Sequence, residues 1–455
     1  MCITHNALKS LAVTHKTMKP IVAIVGRPNV GKSTLFNRLI GRRKAITKDE
    51  PGVTRDLNYA DCDAWGVVFT LVDTGGFEPA VKEGILKQVR EQALFAVEEA
   101  DLTVFLMDGR DGLTPADIEI GRILRESDKP VIYAVNKIDT EKLLPDASEF
   151  YSLGVKKIMC LSSEHGSGVG ELIDEITGKL PKAPLEAVET DEDAVKVAIV
   201  GRPNVGKSSL LNKLIGKERV IVSSIAGTTR DAIDTPFDKD GKKYLFIDTA
   251  GIRKKSRITL KLEAYCVVEA IKSIERANIA LLVIDGMEGL KSQEEKIGGL
   301  IEDRGKCCVI VVNKWDIVEK DSKTASVYEE RIRGMMPFLS YAPIVFISAL
   351  SGQRVSSVFD VMARVVAQAT TKFQTAKLNK CLEEFVARHH PPAYAGKEVK
   401  LYYVTQTRTM PPAFTIFVNR PEGIVDSYKR YLVNSFRDSL SLDSAPLRIS
   451  FRKRR

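Results

Sequence analysis

One string of eight residues occurs twice without change: Gly26-Arg27-Pro28-Asn29-Val30-Gly31-Lys32-Ser33 and Gly201-Arg202-Pro203-Asn204-Val205-Gly206-Lys207-Ser208. Each copy follows an apolar run, Ile21 to Val25 or Val197 to Val200, and precedes a helical pattern, Leu35, Phe36, Leu39, Ile40 or Leu210, Leu211, Leu214, Ile215. Strand, glycine loop and helix is the context that the pattern GxxxxGK[ST] requires. Glycines let successive backbone N–H groups turn inward around a phosphate, and the helix N-terminus adds positive partial charge. Lys32 or Lys207 then reaches the β- and γ-phosphates, and the hydroxyl of Ser33 or Ser208 binds Mg²⁺. An ordinary strand-to-helix turn is the alternative, and two copies in the same context argue against it.

The duplication extends beyond the loops. Lys32 to Lys207, Thr54 to Thr229 and Asp73 to Asp248 are each 175 residues apart, and Asn136 to Asn313 is 177 apart. A period this long means two complete domains rather than a solenoid. Within the first copy, strand-like runs near 67–72, 102–108, 130–135 and 156–161 alternate with helical patterns near 82–99, 115–126 and 168–179. That alternation predicts an α/β fold, a mostly parallel sheet with helices on both faces and ligands at the carboxyl ends of the strands. The expected boundaries are 1–17 (a disordered tail or mis-called start), 18–182 (first domain), 183–194 (a proline-bearing acidic linker), 195–370 (second domain) and 371–455. The last segment reads helix, two strands, helix, strand, which predicts a small α+β layer.

Two further motifs sit after apolar strands in each copy. Asp73-Thr74-Gly75-Gly76 and Asp248-Thr249-Ala250-Gly251 have the form DxxG, whose aspartate holds Mg²⁺ and whose glycine N–H bonds a γ-phosphate. Asn136-Lys137-Ile138-Asp139 and Asn313-Lys314-Trp315-Asp316 have the form NKxD. A carboxylate there accepts from guanine N1–H and the 2-amino group together, whereas adenine offers an acceptor and no amine. Charged acceptors left unpaired cost about 1.5–3 kcal/mol each, so GTP is expected to outbind ATP by roughly 10²–10⁴. Between loop and DxxG, Thr54 and Thr229 stand where a threonine completes the Mg²⁺ shell only when the γ-phosphate is present.

Charge is placed unevenly. The net charge is +9, and from 371 to 455 there are 16 Lys and Arg against 7 Asp and Glu, so the preceding residues carry 52 of each. The basic excess is C-terminal and suits a phosphate backbone or an anionic membrane surface. No apolar run approaches the 18 or so residues that span a bilayer. The seven cysteines show neither CxxC pairs nor metal-ligand spacing with the five histidines, which fits a reducing cytoplasm and buried core thiols.

On these motifs the chain resembles the bacterial double-GTPase family Der, also called EngA, in the TrmE-Era-EngA-like branch of the Ras-like P-loop GTPases. The resemblance runs from residue 18 to about 450 and implies two tandem Ras-like G domains followed by a KH-like domain. It implies a GTP-hydrolysing switch with two GTP/GDP sites and Mg²⁺, acting in assembly of the large (50S) ribosomal subunit. The implied partners are the large subunit or its precursor, its rRNA and ribosomal proteins, with no DNA and no stable membrane anchoring, and the chain is expected to be a cytoplasmic monomer. Phe77 and Ile252 stand where many relatives carry the glutamine that orients water, which implies slow intrinsic turnover. Asn29 and Asn204 match the asparagine that helps hold K⁺ in potassium-activated relatives, so K⁺ stimulation is expected. Lys32, Asn29, Thr54, Lys207, Asn204 and Thr229 are therefore the expected catalytic set, and Ser33, Thr54, Asp73, Ser208, Thr229 and Asp248 the metal set. A fifth motif is matched by Ser348-Ala349-Leu350 in the second copy and less closely by Ser162-Ser163-Glu164 in the first. No GxxG loop exists after 370, so the C-terminal domain departs from the general KH pattern. The alternatives are an RNA-binding protein with structural nucleotides, against which intact Thr54, Thr229, Asp73 and Asp248 argue, and a membrane-surface GTPase, which lacks a lipidation motif.

Overall fold

The computed structural model describes residues 19–41, 59–77, 85–140, 143, 145–180, 194–216, 234–249, 263–319 and 321–454. The N-terminal tail, most of the linker, Thr54, Thr229, Ala250, Gly251 and Ile252 lie outside the described residues. The chain divides into two compact units, one holding the first sheet and the other holding the second sheet together with the C-terminal layer.

In the first unit the strands are β1 (Ile21–Val25), β2 (Tyr59–Ala64), β3 (Val67–Asp73), β4 (Leu102–Asp108), β5 (Val131–Asn136) and β6 (Met159–Cys160), in the order β2-β3-β1-β4-β5-β6. All neighbours are parallel except β2 and β3. Every residue of β1 and β4 is buried, as expected of parallel strands covered on both faces. Helices α1 (Lys32–Gly41) and α4 (Val169–Lys179) lay Leu35, Phe36, Leu39, Leu172 and Ile176 on one face. Helices α2 (Ile85–Glu99) and α3 (Pro115–Arg125) contribute buried Phe95, Ile120 and Leu124. Two elements differ from the sequence expectation. Strand β2 is not marked by an apolar run, because Asp61 and Asp63 interrupt it, which an edge strand tolerates. The strand expected over 156–161 is only two residues long.

The second unit repeats the order. Strands β7 (Val195–Val200), β8 (Thr235–Lys239), β9 (Lys242–Phe246), β10 (Ile279–Asp285), β11 (Cys307–Asn313) and β12 (Ile344–Phe346) lie as β8-β9-β7-β10-β11-β12. Its helices are α5 (Lys207–Ile215), α6 (Glu263–Arg276), α7 (Ser292–Asp303), α8 (Thr324–Met335) and α9 (Ser357–Thr370). The β2–β3 and β8–β9 hairpins each turn on two positive-φ residues, Trp65-Gly66 (φ 54 and 81°) and Asp240-Gly241 (φ 53 and 77°). Such pairs form the tight turn whose twist matches the strands.

The C-terminal layer follows as α10 (Thr375–Arg388), β13 (Leu401–Arg408), β14 (Ala413–Val418), α11 (Asp426–Ser439) and β15 (Arg448–Lys453). Its sheet runs β13-β14-β15, with Leu382, Phe385, Phe414, Ile416, Leu432 and Phe436 in the core beneath it. Polar contacts join this layer to two helices and a loop of the second G domain. The Arg437 guanidinium lies 4.7 Å over the Tyr341 ring, Tyr341 Oη donates to Glu302 Oε2 at 2.9 Å, and Arg448 Nη2 donates to Glu302 O. Ser444 N donates to Gln368 Oε1 at 2.9 Å, and Met410 N to Ala369 O at 2.8 Å.

Cys62, Cys307, Cys308 and Cys381 are buried and Cys160 half-buried, none in a disulfide. Burial pushes the Cys62 and Cys307 thiols up to about 12. No helix among the described residues is long and apolar enough to cross a membrane.

Candidate functional site: two loops built alike

The loop Gly26–Ser33 connects β1 to α1, and Gly201–Ser208 connects β7 to α5. The sequence folds here as it does because several positions tolerate nothing larger or less permissive. A Cβ on Gly26 would clash with Leu106 O, and one on Gly201 with Val283 O, so each loop leaves its strand flush against the next. Gly31 and Gly206 have φ of 93 and 97°. Asn29 and Asn204 also adopt the left-handed region, at 66 and 64°, which asparagine enters more readily than most side chains.

Lys32 Nζ folds back on its loop, donating to Gly26 O at 2.8 Å and Arg27 O at 2.9 Å. Lys207 Nζ does the same with Gly201 O and Arg202 O, both at 2.7 Å. Each ammonium group is thus held against its own loop by the carbonyls of the loop's first two residues. Pro28 is half-buried and Pro203 exposed, while Val30 and Val205 are buried beneath their loops. The arginines brace the loops sideways. Arg27 Nη2 meets Asp111 Oδ2 at 2.8 Å, and Arg202 pairs with Glu294 and, at 3.1 Å, with Glu288.

The structure brings the NKxD asparagines to the underside of these loops. Asn136 Nδ2 donates to Val30 O at 2.8 Å while its Oδ1 accepts from Ser163 N at 2.8 Å. Asn313 Nδ2 donates to Val205 O, and its Oδ1 accepts from Ala349 N, again at 2.8 Å each. One amide therefore ties the phosphate loop to the fifth-motif loop in each copy. The weaker fifth motif of the first copy is positioned by the same bond as the stronger one, because the contact is to backbone.

The next residues, Lys137 and Lys314, take φ of 66 and 62°, an uncommon state for lysine. Each reaches a carboxylate at the end of a central strand: Lys137 pairs with Asp108, and Lys314 Nζ lies 2.6 Å from Asp285 Oδ2. Burial pushes the Asp285 carboxyl up, but bonds from Lys314 and from the Met287 and Glu288 N–H groups outweigh it and hold it below its usual range. Asp108 and Asp285 belong to none of the motifs above. Their separation of 177, equal to that of the NKxD pair, is the signal that marks them. Ile138 and Trp315 are buried, Trp315 with its ring centroid 4.4 Å from that of Phe346.

The fourth residue of the motif differs between copies. Asp139 Oδ1 accepts from Ser162 Oγ at 2.6 Å, and Arg110 Nη2 pairs with Oδ2. The Ser162 bond holds the Asp139 carboxyl below its ordinary range; burial opposes it, and the Arg110 contacts add to the lowering. Asp316 is exposed.

At the DxxG segments, Ser33 Oγ donates to Asp73 Oδ2 at 2.6 Å, and Asp73 Oδ1 accepts from Gly75 N at 2.8 Å. Hard oxygens converging beside a lysine suit Mg²⁺, which takes few protein ligands and keeps several waters. Gly75 adjoins Lys32, since a Cβ there would lie 2.6 Å from Lys32 Cε. Thr74 Oγ1 donates to Ile24 O at 2.7 Å, and Gly76 and Phe77 complete the short helical turn Thr74–Phe77. In the second copy the strand ends earlier. Pairing of β3 with β1 runs to Asp73, but pairing of β9 with β7 stops at Phe246. Asp248 is left-handed at φ 54°, its N–H donates to Asp234 Oδ1 at 3.0 Å, and Thr249 Oγ1 lies 2.7 Å from Thr235 Oγ1.

A phosphate loop, a DxxG segment and NKxD at the carboxyl edge of the first sheet, and a phosphate loop, Asp248-Thr249 and NKxD at that of the second, define a class: the P-loop GTPases with tandem G domains in one chain. A family model described as 50S ribosome-binding GTPase matches residues 21–137 and again 196–314. Another, described as the KH-domain-like C-terminal part of EngA bacterial GTPase enzymes, matches 372–452. GTPase Der of Geotalea daltonii is 50% identical over 437 residues, covering 96% of this chain and 99% of its own. GTPase Der of Acetivibrio thermocellus is 47% identical over the same shares. The chain belongs to the Der (EngA) family of bacterial GTPases. It is accordingly a guanine-nucleotide-binding protein that hydrolyses GTP, with Mg²⁺ the usual companion of the nucleotide in this class.

Proposed function

We propose that this chain is a two-site GTP switch that acts in assembly of the large (50S) ribosomal subunit. The observation that carries the two-site reading is the Asn136 and Asn313 frame, the same pair of 2.8 Å bonds under both phosphate loops. In each site the loop amides and Lys32 or Lys207 bind the β- and γ-phosphates, and Asp139 or Asp316 reads guanine. Ser33 with Asp73, and Ser208 with Asp248, hold Mg²⁺, which supplies charge neutralisation at the phosphates. Thr54 and Thr229 join when the γ-phosphate is present. In the proposed division, the G domains span 18–182 and 195–370, the linker 183–194 and the KH-like domain 371–455.

Ribosome contact is assigned to the KH-like domain. It carries the whole basic excess of the chain, and its sheet presents Tyr402 under Arg454 at 4.9 Å and Tyr403 stacked on Phe417 at 4.4 Å. Aromatic rings beside arginines suit unpaired bases and phosphates. The family-model description and the family itself are consistent with this role.

The test has two arms. Asp139→Asn and Asp316→Asn should each lose GTP at one site and gain xanthosine triphosphate, whose O2 replaces the amine. Unchanged GTP affinity in both variants would remove the guanine reading. In the second arm the protein is sedimented with ribosomal subunits under GTP, GDP and a non-hydrolysable analogue. Cosedimentation with the large subunit that depends on the nucleotide is the expected result, and none in any state would remove the ribosomal role.

A further inference from the structure

We propose that Arg110 gates the guanine end of the first site, and that its replacement by Met287 leaves the second site open, so the two sites take up guanine nucleotide with unequal affinity. The inference rests on the reading of Asp139 and Asp316 as guanine acceptors.

The duplication supplies an internal control. The loop after β4 reads Asp108-Gly109-Arg110-Asp111-Gly112, and the loop after β10 reads Asp285-Gly286-Met287-Glu288-Gly289. Both hang on the same bonds. Arg110 N donates to Asp108 Oδ1 at 3.0 Å and Met287 N to Asp285 Oδ1 at 2.9 Å, while Gly109 N and Gly286 N donate to Asn136 O and Asn313 O at 2.8 Å. The backbone at the third position is therefore held alike, and the side chain is what differs.

In the first copy that side chain reaches the acceptor. Arg110 Nη2 engages Asp139 Oδ2, Ser162 Oγ engages Oδ1 at 2.6 Å, and His165 Nε2 stands 3.8 Å from Oδ1. In the second copy Met287 is 59% exposed and carries no charge. Asp316 has no hydrogen-bond or ion-pair partner among the described residues, and Ser348 Oγ accepts from Ser351 N at 3.1 Å.

Guanine offers two adjacent N–H donors to one carboxylate. To present Oδ2 to them, Asp139 has to release the Arg110 guanidinium, so the pair opposes nucleotide binding at the first site only. Arg110 is more than half exposed, so its release into water is easy and the effect modest. A pair of this exposure changes an equilibrium by about 2- to 5-fold, and a charge-assisted contact to a half-buried carboxylate by up to about 10-fold.

The experiment is equilibrium titration of the full chain with GDP carrying a fluorescent label on its ribose. Asp316→Asn silences the second site, and Arg110→Met is then added to that background. The expected result is one GDP per chain, bound about 2- to 10-fold more tightly with Arg110→Met. The gain should shrink between ~50 mM and ~500 mM KCl as the ion pair is screened. Conversely, Met287→Arg in an Asp139→Asn chain should weaken GDP at the second site by a similar factor. Tighter binding in the first and weaker binding in the second support the gate. If Asp316→Asn still binds two GDP, the acceptor reading has failed and the gate with it. If one GDP binds but Arg110→Met leaves affinity unchanged or lowers it, the gate alone is overturned, and lowered affinity would mean the guanidinium lies over the bound base.

Discussion

Asn136 and Asn313 each act at both ends of one amide, and that is where the site is most sensitive to a single atom. Replacing Asn136 by Ala leaves Val30 O and Ser163 N buried without partners. Unsatisfied buried groups cost about 1–3 kcal/mol each, so with two of them the first unit should lose about 2–6 kcal/mol in urea unfolding. Asn136→Asp keeps the acceptor and loses the donor, and should fall between wild type and Ala. A second expectation concerns acid. The Asp139 carboxyl titrates below its usual range, with the Ser162 bond as the main cause, so whatever it contributes to folding is present above the ordinary carboxylate pKa. That contribution is lost only as pH falls through the lower, folded-state value. Ser162→Ala should move this loss to higher pH, read by monitoring GDP retention during acid titration.

Single elements carry local signatures of comparable size. Helix α3 begins with a capping box in which Thr114 and Asp117 bond reciprocally, and Pro115 occupies the first helical turn. Thr114→Ala should cost about 1 kcal/mol, measured by denaturant midpoint. The seam between the second G domain and the C-terminal layer joins apolar packing by Ala445 and Met410 to a polar cluster around Tyr341. Tyr341→Phe keeps the ring under Arg437 and removes the bond to Glu302, so a loss of about 1 kcal/mol is expected in the same assay. The alternation of strand and helix, the two central buried strands and the order of the C-terminal layer were legible in the chain. The edge elements were less so. Strand β2 mixes Asp61 and Asp63 with buried Tyr59 and Cys62, and β6 pairs over only two residues, because edges satisfy weaker patterns than central strands.

Across the whole molecule the basic excess lies beyond residue 370, but the seam changes how it is best tested. Removing the C-terminal layer would also uncover Tyr341 and Ala369, which are buried. Neutralising Arg452, Lys453 and Arg454, which are exposed at the end of β15, avoids that. The triple substitution should leave GTP hydrolysis nearly unchanged and weaken sedimentation with ribosomal particles. Its salt dependence should become shallower, by about 0.7–0.9 in logarithmic slope for each phosphate no longer neutralised. A second expectation is that K⁺ in place of Na⁺, at constant ionic strength, raises turnover, and that Asn29→Ala or Asn204→Ala blunts this at its own site. One electrostatic interaction at the transferring phosphate is worth roughly 10²- to 10³-fold.

By itself the sequence determined the duplication, the α/β class, both phosphate loops, the DxxG and NKxD motifs and the basic end, because each is a local pattern whose residue types answer a local backbone or charge requirement. Only the tertiary structure decided that Asn136 and Asn313 brace the loops, that Asp108 and Asp285 receive the NKxD lysines, and that Arg110 covers Asp139 while Met287 leaves Asp316 uncovered. Those interactions join residues about 30 to 110 positions apart, whose meeting is set by parallel strand order and register rather than by the pattern around either partner.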